Sequence, residues 1–202
     1  MKLTRPGDVV WGTGLNGKSM SVGAAPHLDI RAVRGPLTRE ALCRVGATVP
    51  EVFGDPGLLW ASLWPREAYL SGTSPSGPAV VQNMHDHPMD VDSARVISPI
   101  GQPHDVIAQI ARSEFVCGSS LHGIVIAESF GIPARLVLPQ REPLFKYRDY
   151  YEGTGRADPR PAESVAEALR LGGERAPVWN PQELLGSFPY DLWRDSPRLE
   201  RA

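Results

Sequence analysis

Three observations predict an α/β protein folded in two lobes. Strand-like apolar runs alternate with helical patterns from residue 79 to residue 138, the order that builds a parallel sheet with crossover helices. Residues 69–78 are rich in Gly, Ser, Thr and Pro, the composition of a linker. Within residues 113–133 the run Phe115-Val116-Cys117 gives way at Gly118 to apolar positions Leu121, Ile124, Val125, Ala127 and Phe130 at helical spacing, so a strand turns directly into a helix. The expected divisions are a first α/β lobe over 1–68, the linker over 69–78, a second α/β lobe over 79–178, and an aromatic tail over 179–202 that packs back on the first lobe.

In the first lobe, Asp8 to Trp11 reads as a short buried strand ending in a glycine-rich loop. Residues 12–19 satisfy both G-x-G-x-x-G and G-x-x-x-x-G-K-[ST], and both patterns require a helix next. Gly23 and Pro26 stand where a P-loop helix would continue, and Asp29 comes too early for the acidic residue of a dinucleotide site. A plain glycine-rich turn therefore competes with a P-loop nucleotide site using 12–19. Leu28 to Val33 alternates as a second strand. Pro36 starts a helix whose apolar side is Leu37, Ala41, Leu42 and Val45, with Gly46 as its stop. Arg34 precedes that start, within reach of an anion held there; a solvated Arg with a half-buried stem is the other reading. Val49 to Phe53 is a further strand, and Asp55, in a Gly-Asp-Pro-Gly turn, is placed to cap the next short helix.

The second lobe opens with a strand over 79–82, with His85, Asp86 and His87 beyond its carboxyl end. His85 and His87 share a face, but a third ligand such as His104 or Asp90 would have to arrive through folding, so no metal site is expected. A strand over 95–98 and a helix over 104–112, with Val106, Ile107 and Ile110 inside, lead to the strand-to-helix segment. There Gly118 permits the turn, Ser119 or Ser120 caps the helix, and Gly131 with Pro133 stops it. His122 falls in the first turn, where free N–H groups and the helix dipole favour an anionic ligand. The plainer alternative is that both serines only cap and His122 is an ordinary half-exposed ring. A strand over 134–138 and a helix over 164–171, capped by Ser164 and ended by Gly172, follow.

Composition narrows the function classes. With 202 residues, 42% hydrophobic and 22% charged, the chain can build a sizeable core. A net charge of −2 without runs of like charge gives no footprint for nucleic acid or an anionic membrane surface. Pro6, Gly7 and Asp8 interrupt any secretory signal, and no stretch approaches about 18 apolar residues, so a cytoplasmic protein without a transmembrane segment is expected. Cys43 and Cys117 are too few for a disulfide framework and are expected as buried thiols.

The run from Ser119-Ser120-Leu121-His122-Gly123 through Gly131-Ile132-Pro133 resembles the signature of the polysaccharide pyruvyl transferase family. Arg31 to Thr38 with Gly54 to Leu59 resembles its middle motifs, and Phe145 to Tyr150 with Gly153 to Gly155 its late one. The resemblance implies two Rossmann-like lobes in a GT-B-like arrangement, with the site between them and the first lobe incomplete, because family chains usually begin with a segment that precedes this one. It implies transfer of a pyruvyl group from phosphoenolpyruvate to two hydroxyls of a saccharide as a ketal, in exopolysaccharide or cell-surface glycan synthesis. The acceptor is free or lipid-linked, no cofactor is expected, and a homo-oligomer stays open. Arg34 matches the family's substrate-binding arginine, and His122 is the group that titrates near neutral pH and suits acid or base work. His85 takes the place of a family histidine that follows a proline, here Met84. Lys146, Ser119, Ser120 and Asp55 complete the expected substrate contacts, with Arg148 as a reserve cation. Ser120 stands where many members carry Arg, which removes one phosphate clamp. Besides the P-loop reading, an inactive saccharide- or partner-binding module with the same fold remains an alternative.

Overall fold

Valine-rich strands and glycine turns set the architecture, and among the described residues every strand pairing is parallel. The structure is a computed structural model that describes residues 5–18, 27–88, 91, 94–157 and 159–194. Ser19, Gly23, Pro26, Asp90 and the tail beyond 194, on which some expectations rest, lie outside the described residues. In the first part of the chain β1 (Val9–Val10) pairs with β2 (Asp29–Ile30), and single parallel bridges extend the direction through Thr13, Val33 and Phe53. The expected strands are thus present only as short ladders. Gly12, at φ +69°, bends the chain after Trp11 and ends β1 early. Val10, Ile30, Val33, Leu42 and Val49 form the small core beneath.

The main sheet contains β3 (Pro78–Val81), β4 (Arg95–Ile97), β5 (Phe115–Gly118) and β6 (Ala134–Leu136) in the order β4-β3-β5-β6. Alternation along these strands sends side chains to two buried faces. Ala79, Val81, Val116 and Leu136 join the core formed with α4 (Pro103–Ala111) and α5 (Leu121–Ser129). Val80, Cys117 and Val137 face Val165 and Ala168 of α7 (Val165–Leu171), on the other side. The protein is therefore α/β, with helices on both faces of a parallel sheet. Helix α5 is apolar nearly all round because it is covered twice, by the sheet and by the 3₁₀ turn Pro56–Leu59. Each fully buried Ile or Val there contributes roughly 1.5–3 kcal/mol.

Helix α1 (Pro36–Cys43) starts on its proline and buries Thr38, Ala41 and Leu42. Cys43 is exposed, contrary to expectation, because it lies about 100° round the helix from Leu42, beyond the buried stripe. Cys117 is buried, and burial raises its thiol pKa to about 12. Helix α6 (Phe145–Gly153) crosses α1 with almost no gap: a Cβ on Gly35 would overlap the Asp149 carbonyl, and one on Gly153 would overlap the Arg34 carbonyl. Short helices α2 (Trp60–Leu63) and α3 (Glu67–Leu70) lead into residues 71–77. Near the end of the chain come α8 (Pro181–Gly186) and α9 (Asp191–Arg194). Leu184 is buried beside Ala32 and Leu59, its carbonyl accepts from Trp11 Nε1 at 2.9 Å, and Phe188 meets the Trp11 ring edge-on at 4.9 Å. Among the described residues no helix is long and apolar enough to cross a membrane.

Candidate functional site

The chain runs from β3 outward to β4, then returns across β3 to β5, so the strand order reverses between β3 and β5. Crevices of this kind, outside the carboxyl ends of parallel strands, are where open α/β sheets hold ligands. Ser119 lies in that crevice: its Oγ accepts from the Asn83 amide at 2.9 Å, just past β3, and its carbonyl accepts from Tyr147 Oη at 2.6 Å. Gly118, at φ +134°, makes the approach possible, since a Cβ there would overlap the Val81 carbonyl. Ser120 is the N-cap of α5, its Oγ accepting from the Gly123 amide at 3.3 Å.

His122 follows in the first turn, its side chain 73% exposed. Beneath it the buried Asp55 places Oδ2 3.6 Å from Nε2 while Oδ1 accepts from the Gly57 amide at 2.9 Å. The Asp55 carboxylate raises the His122 pKa above its ordinary value, against the opposing effects of partial burial and of the Arg34 and Lys146 charges. Burial works to raise the Asp55 pKa, but His122, the Gly57 amide and Arg34 together hold it below the usual carboxylate value. The imidazole is thus biased toward its protonated form and oriented from behind.

Arg34 is 7% exposed and enclosed rather than free. Its Nη2 donates to the Leu15 carbonyl and lies 3.0 Å from Asp149 Oδ2, while Gly14 sits so close to the guanidinium that a Cβ there would collide with it. The buried Nε has no hydrogen-bond partner among the described residues. Asp149 also accepts from the Thr38 amide at 2.9 Å and from Thr38 Oγ1 at 2.6 Å, and Thr38 Oγ1 in turn accepts from the Leu15 amide at 3.0 Å. The 12–18 loop is therefore folded over Arg34.

A second cationic cluster lies at the start of α6. Lys146 Nζ is 2.9 Å from Glu142 Oε2, Lys18 Nζ pairs with Glu142 Oε1, and the Lys146 ammonium sits 5.0 Å from the Tyr147 ring centroid. Burial acts to raise the Glu142 pKa, yet the two lysines outweigh it and hold the carboxyl below its ordinary value.

Arg34, Asp55, His122 and Lys146 are therefore electrostatic neighbours, and Tyr147 ties Lys146's helix to Ser119. His85 is exposed in the 83–86 turn, its amide donating to Asn83 Oδ1 at 2.9 Å, and its ring joins none of these contacts. Sequence reasoning missed Asp149, Glu142 and Tyr147, and weighed Lys18 only as part of the P-loop alternative over 12–19. The i,i+4 spacing of Glu142 and Lys146 was a local signal for one ion pair; the link from Lys18 to Glu142 spans the chain and had none.

Ser119, Ser120 and His122, with Asp55 behind the ring, thus gather where α5 begins, at the carboxyl edge of the parallel sheet of an α/β protein. The chain belongs to the polysaccharide pyruvyl transferase family, whose profile matches residues 4–140. It is 28% identical over 170 residues to the succinoglycan biosynthesis protein ExoV of Rhizobium meliloti (strain 1021), covering 77% of this chain and 53% of that protein. The chain thus spans about half the length of this curated relative. No solved structure matches it.

Proposed function

We propose that this chain transfers a pyruvyl group from phosphoenolpyruvate to two hydroxyls of a saccharide, in exopolysaccharide or other cell-surface glycan synthesis. The observation that carries this reading is the imidazole of His122, set at the start of α5 with the buried Asp55 behind it. Protonated His122 delivers its proton to the donor's methylene carbon, which becomes a methyl group and leaves a cationic centre at C2. One sugar hydroxyl adds at C2 and the second displaces phosphate, so two C–O bonds form as the C2–O bond to phosphate breaks. Of the two hydroxyl protons released, one restores the imidazolium and the other leaves with the phosphate.

Ser119, Ser120 and the first-turn amides of α5 form the floor for the donor's anionic groups. Lys146 supplies a point charge, and Arg34 offers its unpartnered Nε to the donor carboxylate. Asp55 acts as a positioning residue for His122, and His85 serves the acceptor side. Arg34 and Asp55 precede residues 69–78 whereas His122 and Lys146 follow them, which supports two lobes with a GT-B-like cleft: 1–68, a linker over 69–78, 79–178, and a tail from 179 whose Leu184 carbonyl meets Trp11 of the first lobe. A cytoplasmic location fits a donor drawn from central metabolism.

Calorimetric titration with phosphoenolpyruvate, followed by a phosphate-release assay over a panel of sugars, tests the reading. Wild type and His122→Gln should both bind the donor, and only wild type should release phosphate when an acceptor is present. Donor binding without turnover on any acceptor would favour the inactive module, and binding of ATP in place of phosphoenolpyruvate would favour the P-loop reading.

A further inference from the structure

Glu142 is 8% exposed and carries two ammonium groups, one from its own neighbourhood and one from far away in the chain. Lys146 lies one turn along, its side chain 14% exposed; Lys18 comes from the 12–18 loop and is 44% exposed. Loop and helix are packed so tightly that a Cβ on Gly17 would lie 2.6 Å from Phe145 Cβ, so Lys18 is placed by the same element that places Lys146. One carboxylate facing two ammonium groups leaves a surplus positive charge, and the Lys146 charge is felt at the imidazole, where it opposes protonation. Contact continues from Lys146 through the Tyr147 ring to the Ser119 carbonyl.

We infer that Lys18 and Lys146 form the seat for the donor's phosphate, and that Glu142 is an internal carboxylate which the phosphate dianion displaces from them. The inference rests on the pyruvyl-transfer reading above for the identity of the donor. A dianion neutralises both ammonium groups where a single carboxylate cannot, and charge-assisted bonds to phosphate oxygens are stronger than neutral ones. Lys18, the more exposed of the two, is the cation free to swing from carboxylate to phosphate.

The test uses three probes, phosphoenolpyruvate, inorganic phosphate and pyruvate, titrated into wild type, Lys18→Gln and Glu142→Gln. Lys18→Gln should weaken phosphoenolpyruvate and inorganic phosphate about tenfold and leave pyruvate unchanged. Glu142→Gln, by removing the internal competitor, should tighten inorganic phosphate several-fold. Equal weakening of pyruvate and phosphoenolpyruvate in Lys18→Gln, or weaker phosphate binding in a folded Glu142→Gln, would overturn the seat. Should Glu142→Gln fail to fold, Lys18→Arg decides: it keeps the charge and should retain phosphate binding, and its loss would also overturn the seat. Wild type that binds phosphoenolpyruvate with no response to either substitution refutes the seat alone. Wild type that binds inorganic phosphate in a Lys18-dependent way but not phosphoenolpyruvate refutes the donor and keeps the seat.

Discussion

Asp55→Asn isolates the charge behind His122. The amide oxygen still accepts from the Gly57 amide, 2.9 Å away in wild type, so the turn is retained while the negative charge 3.6 Å from Nε2 disappears. At an effective dielectric near 20, opposite charges at such a distance attract by roughly 4–5 kcal/mol. The imidazole is 73% exposed, however, and solvent screening brings the interaction to about 1 kcal/mol, the range of exposed pairs. The Asp55 carboxylate is the main cause of the raised His122 pKa, so the His122 midpoint should fall in the variant.

The sign of the stability effect follows from both partners. The raised folded pKa of His122 gives a contribution complete below the unfolded imidazole value of about 6.5 and lost as pH rises through the folded value. The lowered folded pKa of Asp55 gives one complete above the unfolded value of about 3.9 and lost as pH falls through the folded value. The stability gap between wild type and variant should therefore be widest between about pH 4 and 6.5. An NMR titration of the His122 Cε1–H resonance reads the midpoint directly, and the alkaline limb of phosphate release should move with it. An unchanged midpoint in the asparagine variant would refute the reasoning.

Three further substitutions probe the frame around the site. Gly118→Ala puts a methyl group onto the Val81 carbonyl at a φ of +134°, and should cost on the order of 2–3 kcal/mol in urea denaturation; a loss below half a kcal/mol would mean that the crevice is not closely built. Asp149→Asn turns an amide donor toward the Thr38 and Arg34 donors, costing about 2–3 kcal/mol, and protease accessibility of the 12–18 loop should rise in parallel. Arg156→Met leaves the buried Glu128 carboxylate without its bidentate partner, which donates at 2.6 and 2.9 Å, and should lower stability by roughly 3–5 kcal/mol at neutral pH. A loss below about 1 kcal/mol in urea denaturation would mean that the carboxylate is not left buried without its partner.

Local chemistry was legible where it was complete within a few residues. The apolar run before Gly118, the capping Ser120 and the change of period placed β5 and α5 closely, and Ser164 with Gly172 bounded α7. The family motifs carried the family itself, whose profile matches residues 4–140. Cys43 misled because an eight-residue helix has a narrow buried stripe, and one step past Leu42 already faces solvent. Arg34 shows the limit most clearly. Its position before α1 marked it as an anion ligand, but its enclosure by Gly14, Leu15 and Asp149 depends on contacts across 19 to 115 positions, which no local pattern encodes. The same holds for Lys18 on Glu142. Asp55 was read as a turn cap and substrate contact; it does cap Gly57, and its second oxygen faces a ring that is 67 positions away.

Two tyrosines of a single helix grip α5 at opposite ends, Tyr147 on the Ser119 carbonyl and Tyr150 on the Glu128 carboxylate. Three positions along α6 rise only about 4.5 Å, whereas nine along the 119–128 stretch, if wholly helical, would rise about 13.5 Å, so the two side chains splay like the arms of a yoke. Deleting one residue between them would swing one arm about 100° off its mark and release one end of α5. Length changes should consequently be punished within the tyrosine pair, a pattern that random deletion scanning of this chain would reveal.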